Sequence, residues 1–258
     1  MLTVKFPGWY TRLTDTADLT ANDELPREAP SLSERIATIE SEIDSGRYKP
    51  GPWSRLVSEI RAMPIVNRRE LSSDLTRVSR KLHERGKRTF PAQTAYTAEL
   101  VLAVIGAILL GIGVHQQSNL LVILAALIWT TAFQPLIKVG VGHLLGVGYE
   151  YAYLYGVEPR FKMRFGEYLA KPRYARLVLH LSGMIGSPLG AWLPILFIGD
   201  SMKIAEYVCW AIFWVIVAIN VGSFIAMLTG LAHRAGRLRL ADGSGGSAAI
   251  EVREALEI

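Results

Sequence analysis

The stretch NLLVILAALIWTTAFQPLI, residues 119–137, decides the fold of this chain because it contains no charged side chain. At about 1.5 Å per residue, a helix of roughly 20 residues crosses the hydrocarbon core of a bilayer, which is about 30 Å thick. A water-soluble helix would show a polar face at the helical period, and this stretch shows none. The stretch therefore predicts a helix that crosses a membrane.

Three further apolar stretches predict three more spans. The four predicted spans cover about residues 95–114, 119–147, 174–198 and 204–232, with a loop at 148–173. The chain ahead of residue 91 is instead rich in charged residues and Ser, so water surrounds the first part and lipid the second. We expect an all-α integral membrane protein with four transmembrane helices.

Basic residues near the span ends predict the orientation. They are Lys81, Arg85, Lys87 and Arg88 before the first span, Arg160, Lys162, Arg164, Lys171, Arg173 and Arg176 between the second and third, and Arg234, Arg237 and Arg239 after the fourth. The opposite loops, 115–119 and 199–203, contain only one Lys or Arg, which is Lys203. Because Lys and Arg accumulate in cytoplasmic loops, both termini are predicted to be cytoplasmic, in a plasma membrane or inner membrane. This placement accounts for the formal net charge of +5 without a nucleic-acid partner.

The regions outside the spans are short. Residues 1–30 are predicted to form an extended or partly disordered arm, and residues 233–258 a cytoplasmic tail. Residues 31–92 carry three apolar stripes at the helical period, which predict cytoplasmic amphipathic helices. Few large apolar side chains are available for an independent core, so these helices are expected to pack on each other, on the membrane or on a partner.

The loop 148–173 carries a tyrosine at every second position. Tyr149, Tyr151, Tyr153 and Tyr155 follow the period of a β-strand with one aromatic face. Residues 160–165 again alternate basic with apolar side chains. A short β-hairpin and an irregular surface loop with interfacial tyrosines both fit this pattern.

Polar residues within the spans are the candidate functional residues, because such groups are costly in a bilayer and often functional. His143 and His180 are the candidates for catalysis, and Lys138 and Asn220 are further candidates. The bland alternatives are hydrogen bonds within the bundle and snorkelling of Lys138 to the interface. No two histidines have the i, i+4 spacing of a helical metal site, so we predict no metal and no other cofactor.

Glycine and proline in the third span predict a close helix contact. Gly183, Gly186 and Gly190 allow a neighbouring helix to approach closely. Pro188 lacks a backbone N–H, so it is expected to kink the helix or to free a carbonyl group there.

Three segments resemble, in their order, the site-2 protease family of intramembrane metalloproteases. They are Leu144-Leu145-Gly146-Val147, Gly186-Ser187-Pro188-Leu189-Gly190 and Asn220, within about residues 119–230. The resemblance implies that the family's zinc-binding His-Glu-x-x-His box falls on residues 134–138.

The zinc ligands of that family are missing from the corresponding positions. Gln134 and Lys138 replace the two histidines, and Pro135 replaces the glutamate that would activate water. Asn220 lacks the following proline and aspartate of the family. A protonated lysine would repel Zn²⁺, so the resemblance implies a degenerate, non-catalytic member in which Gln134 remains a candidate position.

The leading hypothesis is therefore a non-catalytic subunit, scaffold or accessory factor of a membrane complex. Besides membrane lipids, we expect a protein partner bound through the N-terminal helices, or oligomerisation through the transmembrane domain. Two alternatives stay open. One is a membrane-embedded hydrolase that acts on a lipid or membrane peptide through His143 and His180. The other is a small transporter or channel.

Overall fold

The computed structural model describes residues 30–84, 87–155, 158–229 and Val252. The helices are α1 (Leu32–Asp44), α2 (Pro52–Ala62), α3 (Ile65–Glu70), α4 (Ser72–Glu84), α5 (Ala92–His115), α6 (Asn119–Leu144), α7 (Phe165–Leu169), α8 (Arg173–Trp192) and α9 (Lys203–Leu228). The strands are β1 (Thr89–Pro91), β2 (Tyr149–Tyr155) and β3 (Glu158–Met163). Apart from Pro30 and Val252, the predicted arm and tail lie outside the described residues.

The four predicted spans correspond to helices that are long and apolar enough to cross a membrane. These spans are Ala92–His115, Asn119–Leu144, Arg173–Phe197 and Asp200–Ala226. The second ends three residues earlier than predicted, because Gly146 adopts a left-handed φ of 68°. The N–H groups of Gly146 and Val147 then donate back to the carbonyls of His143 and Gly142, which ends the helix.

Helices α6 and α8 are in direct backbone contact through glycines one turn apart. A Cβ atom added at Gly186 would lie 2.5 Å from Cα and 2.8 Å from N of Gln134. One added at Gly190 would overlap the backbone of Trp129. The predicted close approach at the third span is therefore present, and α6 is its partner.

Trp129 joins the same region of α6 to α5. Its indole Nε1 donates a hydrogen bond of 2.8 Å to the Ala103 carbonyl, and its ring fills the space above Gly106. The side chain is almost fully buried. One face of α6 therefore contacts α8 while Trp129 contacts α5, and α6 lies at the centre of the bundle.

Of the two structures that fit the loop 148–173, the β-hairpin is present as β2 and β3, which pair antiparallel. The strand β1, directly ahead of α5, adds to the other edge of β2, so the sheet order is β1-β2-β3. The strand β1 lies within the region 31–92, for which the sequence predicted amphipathic helices and no strand. A β-bulge between Tyr149 and Tyr151 also breaks the single aromatic face. Tyr149 contacts α6, whereas Tyr151 contacts α4.

The three apolar stripes of α1, α2 and α4 share one core with the loop after α6 and with α8. Its buried members are Ile36, Ile39, Ile43, Leu56, Ile60, Leu75, Val78, Val147, Tyr168, Leu169 and Leu179. Arg68 of α3 also donates a hydrogen bond of 3.1 Å to the Leu169 carbonyl of α7. The described polar elements therefore adjoin the end of the bundle where α5 begins, α6 ends and α8 begins.

Candidate functional site

His143 and Lys138 both meet Tyr149 of β2. The Tyr149 hydroxyl donates 2.9 Å to the Lys138 main-chain carbonyl, and the His143 ring lies edge-on to the tyrosine at 5.7 Å between centroids. Burial raises the pKa of Tyr149, so the hydroxyl stays a proton donor. His143 itself is exposed in the last turn of α6. This contact fixes the sheet against the end of α6.

His180 lies in a separate contact between α8 and α7. Its side chain is 3% exposed, and Nε2 is 2.9 Å from the Tyr168 hydroxyl. The Arg176 guanidinium, one turn earlier in α8, lies over the same tyrosine ring at 5.7 Å and donates 3.2 Å to the Lys171 carbonyl. The imidazole and the guanidinium together hold α7 on α8.

Gln134 of α6 and Asn220 of α9 each join their own helix to α8. The Ser187 hydroxyl donates 3.1 Å to Gln134 Oε1. Asn220 Nδ2 donates 2.8 Å to the Met184 carbonyl. That carbonyl lies four residues before Pro188, whose ring nitrogen cannot donate to it. Asn220 therefore supplies the hydrogen bond that Pro188 leaves unmade, as the freed carbonyl predicted for this span requires.

The five predicted residues thus enter contacts at different places rather than one shared constellation. His143 and Lys138 meet at Tyr149, His180 meets Tyr168, and the two amides meet α8. Among the described residues, no group of three or more His, Cys, Asp or Glu side chains could hold a metal ion. The contacts observed for these five residues hold helices and strands against one another.

A polar cluster that the sequence reasoning missed lies between α4 and the sheet. We call it the basic layer, and its residues are Ser79, His83, Lys87, Tyr151, Tyr153, Arg160 and Lys162. His83 Nδ1 is 2.8 Å from the Tyr151 hydroxyl, and Lys87 Nζ is 2.7 Å from His83 Nε2. Lys162 Nζ donates 2.9 Å to Ser79 Oγ. Its members come from α4, the segment before β1 and two later strands, so no local motif marks it.

Electrostatics determine the protonation state of the basic layer. Burial, together with the charges of Lys162 and Lys87, lowers the pKa of His83 to about 4. The imidazole is therefore neutral at pH 7, its Nε2 accepts from Lys87, and its Nδ1–H donates to Tyr151. Burial also lowers the pKa of Lys162, to about 8. Lys162 therefore remains mostly protonated at pH 7, beside a neutral histidine.

An apolar cleft of about 390 Å³ lies between α8 and α9. Ile185, Pro188, Phe213 and Val217 line it, and Asn220 contributes a polar side chain. The Asn220 amide already donates to α8. The cleft therefore offers an apolar lining without a second polar side chain among these residues.

The comparisons with known proteins add no relative. No family model, no curated protein and no solved structure matches the chain. The likeness to site-2 proteases stays a prediction from the sequence.

Proposed function

We propose that the chain crosses a cell membrane four times, with both termini in the cytoplasm, as a non-catalytic subunit, scaffold or accessory factor of a membrane complex. Four helices long and apolar enough to span support the insertion. The orientation is supported by the sheet and the N-terminal helices, which adjoin one end of the bundle. Those of the predicted cytoplasmic basic residues that the structure describes, such as Lys81, Lys162 and Arg173, belong to the same end, as the preference of Lys and Arg for that side requires.

The non-catalytic role is supported by one observation: the side chains of Gln134, His180 and Asn220 serve contacts between elements. The clearest is Asn220, whose amide completes the hydrogen bonding of α8 where Pro188 interrupts it. A group committed to satisfying a backbone carbonyl in lipid is not available as a ligand without breaking that contact.

The same contacts support a degenerate relationship to site-2 proteases. Gly186 of the second resembling segment lies directly against the backbone of Gln134, where the family's metal box begins. Asn220 of α9 contacts α8, the helix of Gly186, through the Met184 carbonyl. The proposed interpretation is a retained helix arrangement whose metal-binding chemistry has been lost.

Oligomerisation through the transmembrane helices is the favoured mode of association. The apolar stripes of α1, α2 and α4 are already buried within the chain, so they are not needed for a partner. By contrast, only 6% of the apolar stretch of α9 is buried. A partner helix in the membrane would find its largest accessible surface there.

Purification of the full chain in mild detergent tests the proposal. Mass measurement is expected to show a complex with a second copy or another membrane protein, and a monodisperse monomer would contradict it. Metal analysis of the wild type and of His143→Ala tests the hydrolase alternative in parallel. Stoichiometric metal that is lost in this variant would overturn the non-catalytic interpretation, with Gln116→Ala in the opposite loop as the matched control.

A further inference from the structure

We propose that the basic layer binds one phosphate group, the chemistry shared by an anionic lipid headgroup and free phosphate, between Lys87 and Lys162. The position of this site at a membrane surface rests on the proposed membrane insertion. None of its residues is among the candidate functional residues that the sequence predicted, and its role is separate from the contacts that hold the bundle together.

The first argument is an excess of positive charge. The observed hydrogen bonds of the Lys87 and Lys162 ammonium groups go to neutral atoms, His83 Nε2 and Ser79 Oγ. In the described part of the chain neither lysine forms an ion pair, although Glu150 attracts Lys162 electrostatically. Each ammonium carries three donors, so both retain capacity for an anion.

Lys81, a lysine of α4 outside the layer, has a different environment. Lys81, six residues before Lys87, forms ion pairs with Glu40 at 2.8 Å and with Asp44 at 2.7 Å. The carboxylates of Glu40 and Asp44 therefore neutralise the Lys81 ammonium. Among the described residues, Lys87 and Lys162 form no such ion pair, and their observed hydrogen bonds go to His83 and Ser79.

The second argument is mutual repulsion within the layer. Besides burial, the charge of Arg160 lowers the pKa of Lys87, and the charge of Lys87 lowers the pKa of Lys162. Arg160 therefore acts on Lys87, and Lys87 acts on Lys162. An anion between them would relieve this repulsion and would gain charge-assisted hydrogen bonds.

The third argument is the fixed position of the donors. The Lys87 ammonium lies 4.6 Å above the Tyr153 ring, and the Lys162 ammonium lies 5.7 Å from the Phe165 ring centroid. Because the Tyr151 hydroxyl accepts from His83, its own proton remains as an additional donor. Aromatic rings and a neutral imidazole thus hold the cations in place before a ligand arrives, which lowers the entropic cost of binding.

The fourth argument is the location along the chain. Lys87 stands two residues before β1, and β1 runs directly into the membrane helix α5 at Ala92. In the proposed orientation the layer lies at the level of the cytoplasmic lipid headgroups. Anionic lipids attract basic residues near that surface by about 1 kcal/mol for each residue.

The test uses full-length protein in neutral detergent micelles, with binding read by native mass spectrometry and by the shift in Tm. The probes are phosphatidylglycerol, phosphatidylcholine and inorganic phosphate. The variants are Lys87→Met and Lys162→Met, and Arg173→Gln is the matched control, since Arg173 is an exposed cation at the start of α8. Removal of the charge of the half-buried Lys162 should not unfold the chain, so this variant keeps the test decisive.

The expected result is one phosphatidylglycerol bound in preference to phosphatidylcholine. Each lysine variant should weaken that binding on the order of fivefold, whereas Arg173→Gln should change it less than twofold. An equal stabilisation by inorganic phosphate, lost in the lysine variants, would identify a soluble anion as the source. Equal weakening in Arg173→Gln, or no binding of either anion, would overturn the site.

The two proposals fail in distinguishable ways. A chain that is extracted from membranes by alkaline carbonate without detergent would contradict membrane insertion. The inorganic phosphate measurement would still decide whether the basic layer binds an anion.

Discussion

Replacement of Gly186 by alanine tests the contact between α6 and α8. The added Cβ would lie 2.5 Å from Gln134 Cα and 2.8 Å from the Phe133 carbonyl oxygen, both of them backbone atoms that no side-chain rotation can move. Carbon atoms normally pack at about 3.5–4.0 Å, so the helices must separate by about 1 Å. Such overpacking costs about 1–3 kcal/mol.

Gly111→Ala is the matched control for this substitution. Gly111 lies in α5, and a Cβ added there meets nothing within 4 Å. Alanine favours a helix over glycine by about 0.5–1 kcal/mol at either position, so the difference between the variants isolates the clash. The free energy of unfolding, from sodium dodecyl sulfate titration in mixed micelles, should be lower for Gly186→Ala by about 1–3 kcal/mol. Equal values for the two variants would refute the close contact.

Three further predictions concern polar residues. Asn220→Leu should lower the free energy of unfolding by about 1 kcal/mol, and this loss should shrink in a Pro188→Ala background, where residue 188 can donate to Met184; an unchanged loss in the double-mutant cycle would contradict the pairing. His83 has its pKa lowered from 6.5 to about 4, so the unfolded chain takes up its proton first and stability should fall as pH decreases through that window. His83→Gln should flatten that part of the stability–pH curve, and an unaltered curve would rule out this origin. Lys162 has its pKa lowered from 10.5 to about 8, and each tenfold change in proton affinity corresponds to about 1.4 kcal/mol. Lys162→Met should therefore raise stability at pH 7 by at most about 3 kcal/mol in phosphate-free detergent, and the gain should vanish as pH rises from 8 to 10.5; a gain that persists at pH 10.5 would exclude relief of a buried charge.

The helices could be predicted, and the hairpin could be named as one of two possibilities, because their signals are local. A span is recognisable from its length and lack of charge, and the strand β2 from its alternating tyrosines. The strand β1 could not be predicted, because three residues are too short to show a period and its pairing with Tyr151 and Tyr153 joins distant parts of the chain. The bulge between Tyr149 and Tyr151 could not be predicted either, because it depends on how β2 pairs with β3.

The polar contacts divide in a similar way. The freed carbonyl near Pro188 was predictable, because the missing proline N–H acts four residues away on the same helix. The basic layer was not, since His83 meets Tyr151 across 68 positions of sequence and Lys162 meets Ser79 across 83. His143 and His180 were predicted as candidates because they lie within the predicted spans. His83 lies in a helix that was predicted only to be amphipathic.

Cysteine labelling of the connections between helices tests the proposed topology most directly. Cys209 is the only cysteine and is buried, so Cys209→Ala provides the background. Gln116→Cys and Asp200→Cys probe the two short connections, and Ser54→Cys probes α2. In intact cells, a membrane-impermeant maleimide is predicted to label the first two and to reach the third only after the membrane is opened. Labelling of Ser54→Cys in intact cells, or labelling of Gln116→Cys and Asp200→Cys from opposite sides, would contradict four spans with a cytoplasmic polar end.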